Sequence, residues 1–76
     1  MSNISVIGAG GWGLALANIF SEKHNIKVWV HSEKSYKLLK ENHRNDNYLE
    51  NIELNKNIFF TMNIEDAINE SEIIII

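Results

Sequence analysis

The chain has 76 residues, against roughly 100–150 for an average domain, so it holds one domain at most. Its composition is 45% hydrophobic and 22% charged, which excludes a disordered chain and a coiled coil. The absence of cysteine excludes a disulfide scaffold, and seven Lys+Arg against ten Asp+Glu, a net charge of −3, leave no broad positive field for nucleic acid.

Ile4-Ser5-Val6-Ile7 is a β-branched run stopped by Gly8 and reads as the first strand. From Gly11 to about Lys23 the apolar residues Trp12, Leu16, Ile19 and Phe20, with Ala15 and Ala17 between them, recur at spacings of three and four. They predict an amphipathic helix, with Asn25 as its stop. Ile26-Lys27-Val28-Trp29-Val30 alternates as a second strand. Ser32 is a good N-cap for a helix over Glu33 to Asn42 that carries Tyr36, Leu38 and Leu39.

His43 to Asn57 is polar and Asn-rich and reads as a long irregular connection, a length at which loops are commonly functional. Ile58-Phe59-Phe60-Thr61 is the third strand. Asn63 caps a short helix whose Ile64, Ala67 and Ile68 share a face, with Glu65 and Asp66 in the first turn. Glu72-Ile73-Ile74-Ile75-Ile76 is the fourth strand, and its unbroken apolar character is that of a parallel strand covered on both faces. The order βαβαβαβ predicts an α/β domain with a doubly wound parallel sheet. No covering helix follows the fourth strand, so the domain reads as truncated there, with an apolar strand prone to aggregation. No apolar stretch approaches the ~18–20 residues of a membrane span, and no basic leader precedes one. A cytoplasmic location is therefore expected.

Gly8-Ala9-Gly10-Gly11-Trp12-Gly13 fits G-x-G-x-x-G and lies between a predicted strand and the helix it opens, as a Rossmann-type dinucleotide site requires. Gly8 permits the tight turn, Gly10 lets backbone approach a pyrophosphate, and Gly13 lets the helix close on the sheet. The helix N-terminus then faces the phosphates. The alternative is a glycine-rich turn with no ligand. An acid about 20 residues further on would bind a ribose 2′-hydroxyl, and Glu33 has that spacing from Gly13. Glu33 also follows Ser32 as the first residue of the next helix, where it would serve the helix dipole. The residue at the strand end is His31, able to stack on adenine or face a 2′-phosphate, which leaves NADP and NAD both open.

Trp12 is divided between core and cofactor contact. Trp29, mid-strand, is expected in the core, Tyr48 in the polar loop is assigned to function, and His24 and His43 are expected to be solvated. No nucleophilic triad or catalytic carboxylate pair is legible.

The glycine run followed by Leu14-Ala15-Leu16-Ala17 resembles the G-A-G-S-W-G-T-A-L-A opening of the bacterial NAD(P)-dependent glycerol-3-phosphate dehydrogenases. Val28-Trp29-Val30-His31 is similar to that family's second strand end. Asn47-Tyr48-Leu49-Glu50-Asn51 is similar to its N-x-Y-L-P-N segment, and Thr61-Met62-Asn63-Ile64-Glu65-Asp66-Ala67 to its T-x-D-x-x-E-A helix start. The resemblance covers essentially the whole chain. It departs at Gly11, where Ser is usual and a phosphate-binding hydroxyl is lost, at Ser32, where many members carry a second basic residue, and at Glu50, which replaces Pro.

The resemblance implies that Gly8, Gly10, Gly11, Trp12, Gly13, His31 and Tyr48 bind NADP or NAD, and that residues 1–76 form the N-terminal part of a cofactor-binding domain. It implies hydride transfer between NAD(P)H and dihydroxyacetone phosphate to give sn-glycerol 3-phosphate for phospholipid synthesis. The general-acid lysine and the helical substrate domain would then lie outside this chain, none of whose six lysines matches that position. The chain alone is accordingly expected to be inactive. The complete protein's oligomeric state is open, a homodimer among the options. A dinucleotide-binding module without catalysis and another Rossmann-type dehydrogenase remain as alternative readings.

Overall fold

The computed structural model describes residues 2–8, 10–42 and 53–76. The elements are β1 (Asn3–Ile7), α1 (Gly11–Phe20), β2 (Asn25–Trp29), α2 (Glu33–Asn42), β3 (Phe59–Thr61), α3 (Ile64–Ile68) and β4 (Ile73–Ile75). All four strands are parallel, in the order β3-β2-β1-β4. The chain adds β2 and β3 on one side of β1 and then crosses back to place β4 on the other. The winding therefore reverses beside β1.

That reversal puts the helices on opposite faces. Ile4 and Val6 of β1 and Ile26 and Val28 of β2, with Val30 beyond it, join Leu14 and Ala17 of α1, Leu39 of α2 and Phe60 of β3 in one buried cluster. The alternate residues turn to α3. The buried Ser5 hydroxyl is hydrogen-bonded to the Ala67 carbonyl and the Ser71 hydroxyl, and Lys27 Nζ donates to the Asn69 carbonyl at 3.0 Å. One face of the sheet is thus a dry aliphatic core and the other a polar contact with a five-residue helix.

Helix α1 buries only part of the stripe the spacing predicts: Ala17 is buried and Phe20 packs against the core, but the stripe is centred elsewhere. Leu14, Ala17 and Ser21 at its C-cap are buried, three and four residues apart, whereas Trp12 is 78% and Ile19 65% exposed. The helix is apolar nearly all round, so periodicity alone does not select a face. The small residues Gly13 and Ala17 select it by letting the axis approach the sheet. The helix ends at Phe20, earlier than predicted, because the Lys23 and His24 amides close a turn on the Phe20 carbonyl. Asn25 is the first residue of β2 rather than the helix stop. His24 is not simply solvated, since its Nδ1 accepts the Ser2 amide at 3.0 Å.

Ser32 caps α2 as expected, its Oγ accepting the Ser35 amide, and Asn63 caps α3 by accepting the Glu65 and Asp66 amides at 2.9 and 3.2 Å. Of the three apolar residues expected on the buried face of α3, only Ala67 is buried. Ile64 and Ile68 stay 43% and 40% exposed, because the short helix meets the sheet through its smallest side chain. The fourth strand forms, as β4, and pairs with β1, but Ile73 and Ile74 are about half exposed instead of covered. Among the described residues it is an edge strand, hydrogen-bonded to β1 alone.

The described end of the long connection is more ordered than its composition implies. Leu54 and Ile58 are in the core. Asn55 clasps the end of α1, its amide donating to Asn18 Oδ1 at 2.9 Å and its Nδ2 to Ser21 Oγ at 2.7 Å, while Asn57 Nδ2 donates to the Ser21 carbonyl at 2.8 Å. Among the described residues no helix is long and apolar enough to cross a membrane.

These burials order the α1 substitutions. Leu14→Ala, at a fully buried site, is expected to lower folding stability by about 2–5 kcal/mol. Ile19→Ala should change it by no more than about 0.5 kcal/mol. Urea-denaturation midpoints of the two variants check the ranking, and an equal loss would mean that α1 packs through the predicted stripe instead.

Candidate functional site

The carboxyl ends of β1, β2 and β3 converge at one edge of the sheet, and the residues that leave them build the site. Gly8 leaves β1 with φ +113°, a conformation that side chains disfavour. Its amide donates to the Trp29 carbonyl at 3.1 Å, which ties the turn to the neighbouring strand. The turn then enters α1 through Gly10, the N-cap, in extended conformation and without a capping side chain. The Leu14 amide donates to the Gly10 carbonyl at 2.9 Å as the helix begins.

The three glycines of the motif differ in what surrounds them. A methyl group on Gly13 would lie 2.7 Å from the Gly8 carbonyl oxygen and 3.3 Å from Val6 Cγ1, so only glycine allows α1 this close to β1. A methyl on Gly10 would meet no atom within 4 Å. Its side of the turn is an open approach to backbone at the head of the helix, where the helix dipole favours negative charge and the first turn carries no acid to oppose it. That combination of a left-handed Gly8, an open Gly10 and a filled Gly13 fits a pyrophosphate, the group that the motif is built to cradle.

His31 follows β2 and is exposed. Its ring stacks on Trp29 with centroids 5.8 Å apart and planes inclined by 30°. Trp29 is half-buried on the α3 side and its Nε1–H donates to the Met62 carbonyl at 3.0 Å, so it is not the core residue expected from its mid-strand position. Trp29 ends β2 and His31 lies two residues beyond it, where the two rings meet. Trp12 is exposed on the first turn of α1, which removes the core reading for it. Glu33 belongs to α2, where it opens the first turn and pairs with Lys37 at 3.7 Å. Tyr48 lies outside the described residues, as does His43. The structure thus brings Gly8, Gly10, Gly11, Trp12 and Gly13 into one turn, with His31 at the end of the adjacent strand.

The profile of the family described as NAD-dependent glycerol-3-phosphate dehydrogenase N-terminus matches residues 3–76. This chain belongs to that family. It is 72% identical over 76 residues to glycerol-3-phosphate dehydrogenase (NAD(P)+) of Brachyspira hyodysenteriae, covering all of this chain and 23% of that protein. A relative of the same name in Fusobacterium nucleatum is 39% identical over 77 residues, again with 23% of its length covered. The solved glycerol-3-phosphate dehydrogenase of Coxiella burnetii superimposes with a TM-score of 0.87 at 22% identity, over 96% of this chain and 23% of that one. That of Plasmodium falciparum gives 0.84 at 20% identity over the same shares, so the fold is common to both. The chain therefore spans about a quarter of the length of the dehydrogenases it matches.

The family's glycine turn makes a sharp prediction. Gly13→Ala should cost about 1–3 kcal/mol, because its methyl meets the Gly8 carbonyl and either the turn or the helix must shift. A thermal melt equal to that of the parent would show that α1 has slack against β1.

Proposed function

We infer that this chain is the N-terminal part of a dinucleotide-binding domain in an oxidoreductase that interconverts sn-glycerol 3-phosphate and dihydroxyacetone phosphate. NADP or NAD is its cofactor, and the product serves phospholipid synthesis. The observation that carries this reading is the glycine turn, where Gly8 is left-handed, Gly13 is packed to contact and Gly10 stands open at the head of α1. Membership of the family supplies the reaction, and the names of the relatives supply the choice of dinucleotide.

The nicotinamide, when bound, supplies or accepts the hydride. In this reading the chain's own residues bind and orient. The backbone from Gly8 to Gly13 receives the pyrophosphate, with the amides at the head of α1 directed at its oxygens. Trp12, exposed beside the turn, covers it, and His31 meets the adenosine ribose or its 2′-phosphate at the end of β2. Tyr48 belongs to the same set by its place in the family pattern. The groups that polarise the substrate carbonyl and hold the substrate phosphate lie in a substrate domain outside these residues, so the catalytic set is not assigned within residues 1–76. The complete enzyme is taken as cytoplasmic, with a homodimer as its assembly.

Two substitutions in the complete protein test the assignment. Gly10→Val should leave the fold in place, since its side chain points into open space, while cofactor affinity falls at least about a hundredfold through obstruction of the pyrophosphate. Unchanged affinity by calorimetry would remove the cradle from the reading. His31→Asp should shift preference toward NAD by bringing a carboxylate to the ribose hydroxyls and repelling a 2′-phosphate. A ratio of kcat/KM for NADPH to that for NADH equal to the parent's would take His31 out of the site.

A further inference from the structure

Trp29 is joined to three neighbours at the carboxyl edge of the sheet. Its carbonyl oxygen accepts the Gly8 amide at 3.1 Å, its indole Nε1–H donates to the Met62 carbonyl at 3.0 Å, and its ring face stacks on the His31 imidazole. The main chain of this one residue thus holds the glycine turn, and its side chain spans from the end of β3 to the residue that leaves β2. The two ring contacts restrict different degrees of freedom. A donor directed at a backbone carbonyl fixes the rotation of the indole about its side-chain bonds, because Trp has only one N–H to satisfy. The fixed face then becomes a platform for the exposed imidazole, which would otherwise have to be ordered when a ligand arrives.

We propose that Trp29 is a positioning residue for the adenosine end of the dinucleotide. Pinned to the Met62 carbonyl, it holds the His31 ring in one orientation beside the glycine turn, so that ribose recognition at the end of β2 and pyrophosphate recognition after β1 share one rigid support. The proposal rests on the assignment of His31 to the nucleotide made above. It places the specificity of the strand end in a pair of residues rather than in His31 alone.

A double-mutant cycle in the complete protein tests it, read by calorimetric titration with ADP-ribose and with 2′-phospho-ADP-ribose, the two dinucleotides without their nicotinamide. Trp29→Phe keeps a flat ring but has no N–H for Met62. It is expected to weaken at least one of the two ligands about three- to tenfold, the cost of ordering one more side chain on binding, and to add nothing to the loss caused by His31→Ala. An unchanged affinity in Trp29→Phe together with a loss in His31→Ala overturns the positioning role and leaves the His31 assignment standing. Losses that add in the double variant also overturn it, because Trp29 would then act independently. No loss in His31→Ala overturns the His31 assignment and the proposal with it. Should Trp29→Phe fail to fold, fluorotryptophan in the complete parent protein, with the Trp29 resonance assigned by replacing each other tryptophan with Phe in turn, provides the second measurement. The Trp29 resonance should move on addition of ADP-ribose and stay still in His31→Ala, and a parent resonance that does not move overturns the proposal.

Discussion

The approach of α1 to β1 is the contact on which the rest of this structure depends. It exists because residue 13 has no side chain, so that the Gly8 carbonyl occupies the space a methyl group would need. With the helix that close, Leu14 and Ala17 reach the sheet between Val6 and Val28, and the aliphatic core closes around them. The same approach directs the N-terminus of α1 at the edge where β1 and β2 end, which is the origin of the site. The packing of α1 and the open approach at its N-terminus are therefore two results of one steric condition.

The two faces of the sheet are stabilised by different physics. Toward α1 and α2 the contacts are aliphatic and dry, and burial of apolar area provides the driving force. Toward α3 they are hydroxyl, ammonium and indole N–H groups paired with carbonyls, through Ser5, Lys27 and Trp29. Such bonds contribute little net stability individually, and only the buried one, that of Ser5, is costly to leave unmade. They specify where α3 and the end of β3 sit instead of holding the domain together. Trp29 belongs to this second set, and its place there, not in the core, leaves its ring face to the His31 imidazole.

Much of this was legible from residue types. The strand before Gly8, the Ser32 and Asn63 caps and the run Ile73 to Ile75 are local signals, set by side-chain shape and by hydrogen bonds within a few residues, and the structure follows them. The glycine motif was legible because its chemistry is backbone chemistry at a fixed spacing. What misled was any inference from apolarity to burial. Trp12, Ile19, Ile64 and Ile68 are apolar at helical spacing and exposed, while Ser5 and Ser21 are polar and buried. Burial depends on which side of an element meets a neighbour, and an all-apolar helix or a five-residue one carries too little contrast to say.

The sequence by itself determined the element order, the parallel sheet, the doubly wound class and the glycine turn between β1 and α1, because each follows from short-range sterics and periodicity. Only the tertiary structure decided that α1 turns Leu14 rather than Trp12 inward, that Asn55 reaches back to clasp α1, and that Trp29 leaves the core to stack on His31. Those outcomes depend on contacts between residues that the chain brings together only once the sheet has formed. Asn18 and Asn55, or Trp29 and Met62, carry no mark in their own neighbourhoods of the partner each will meet.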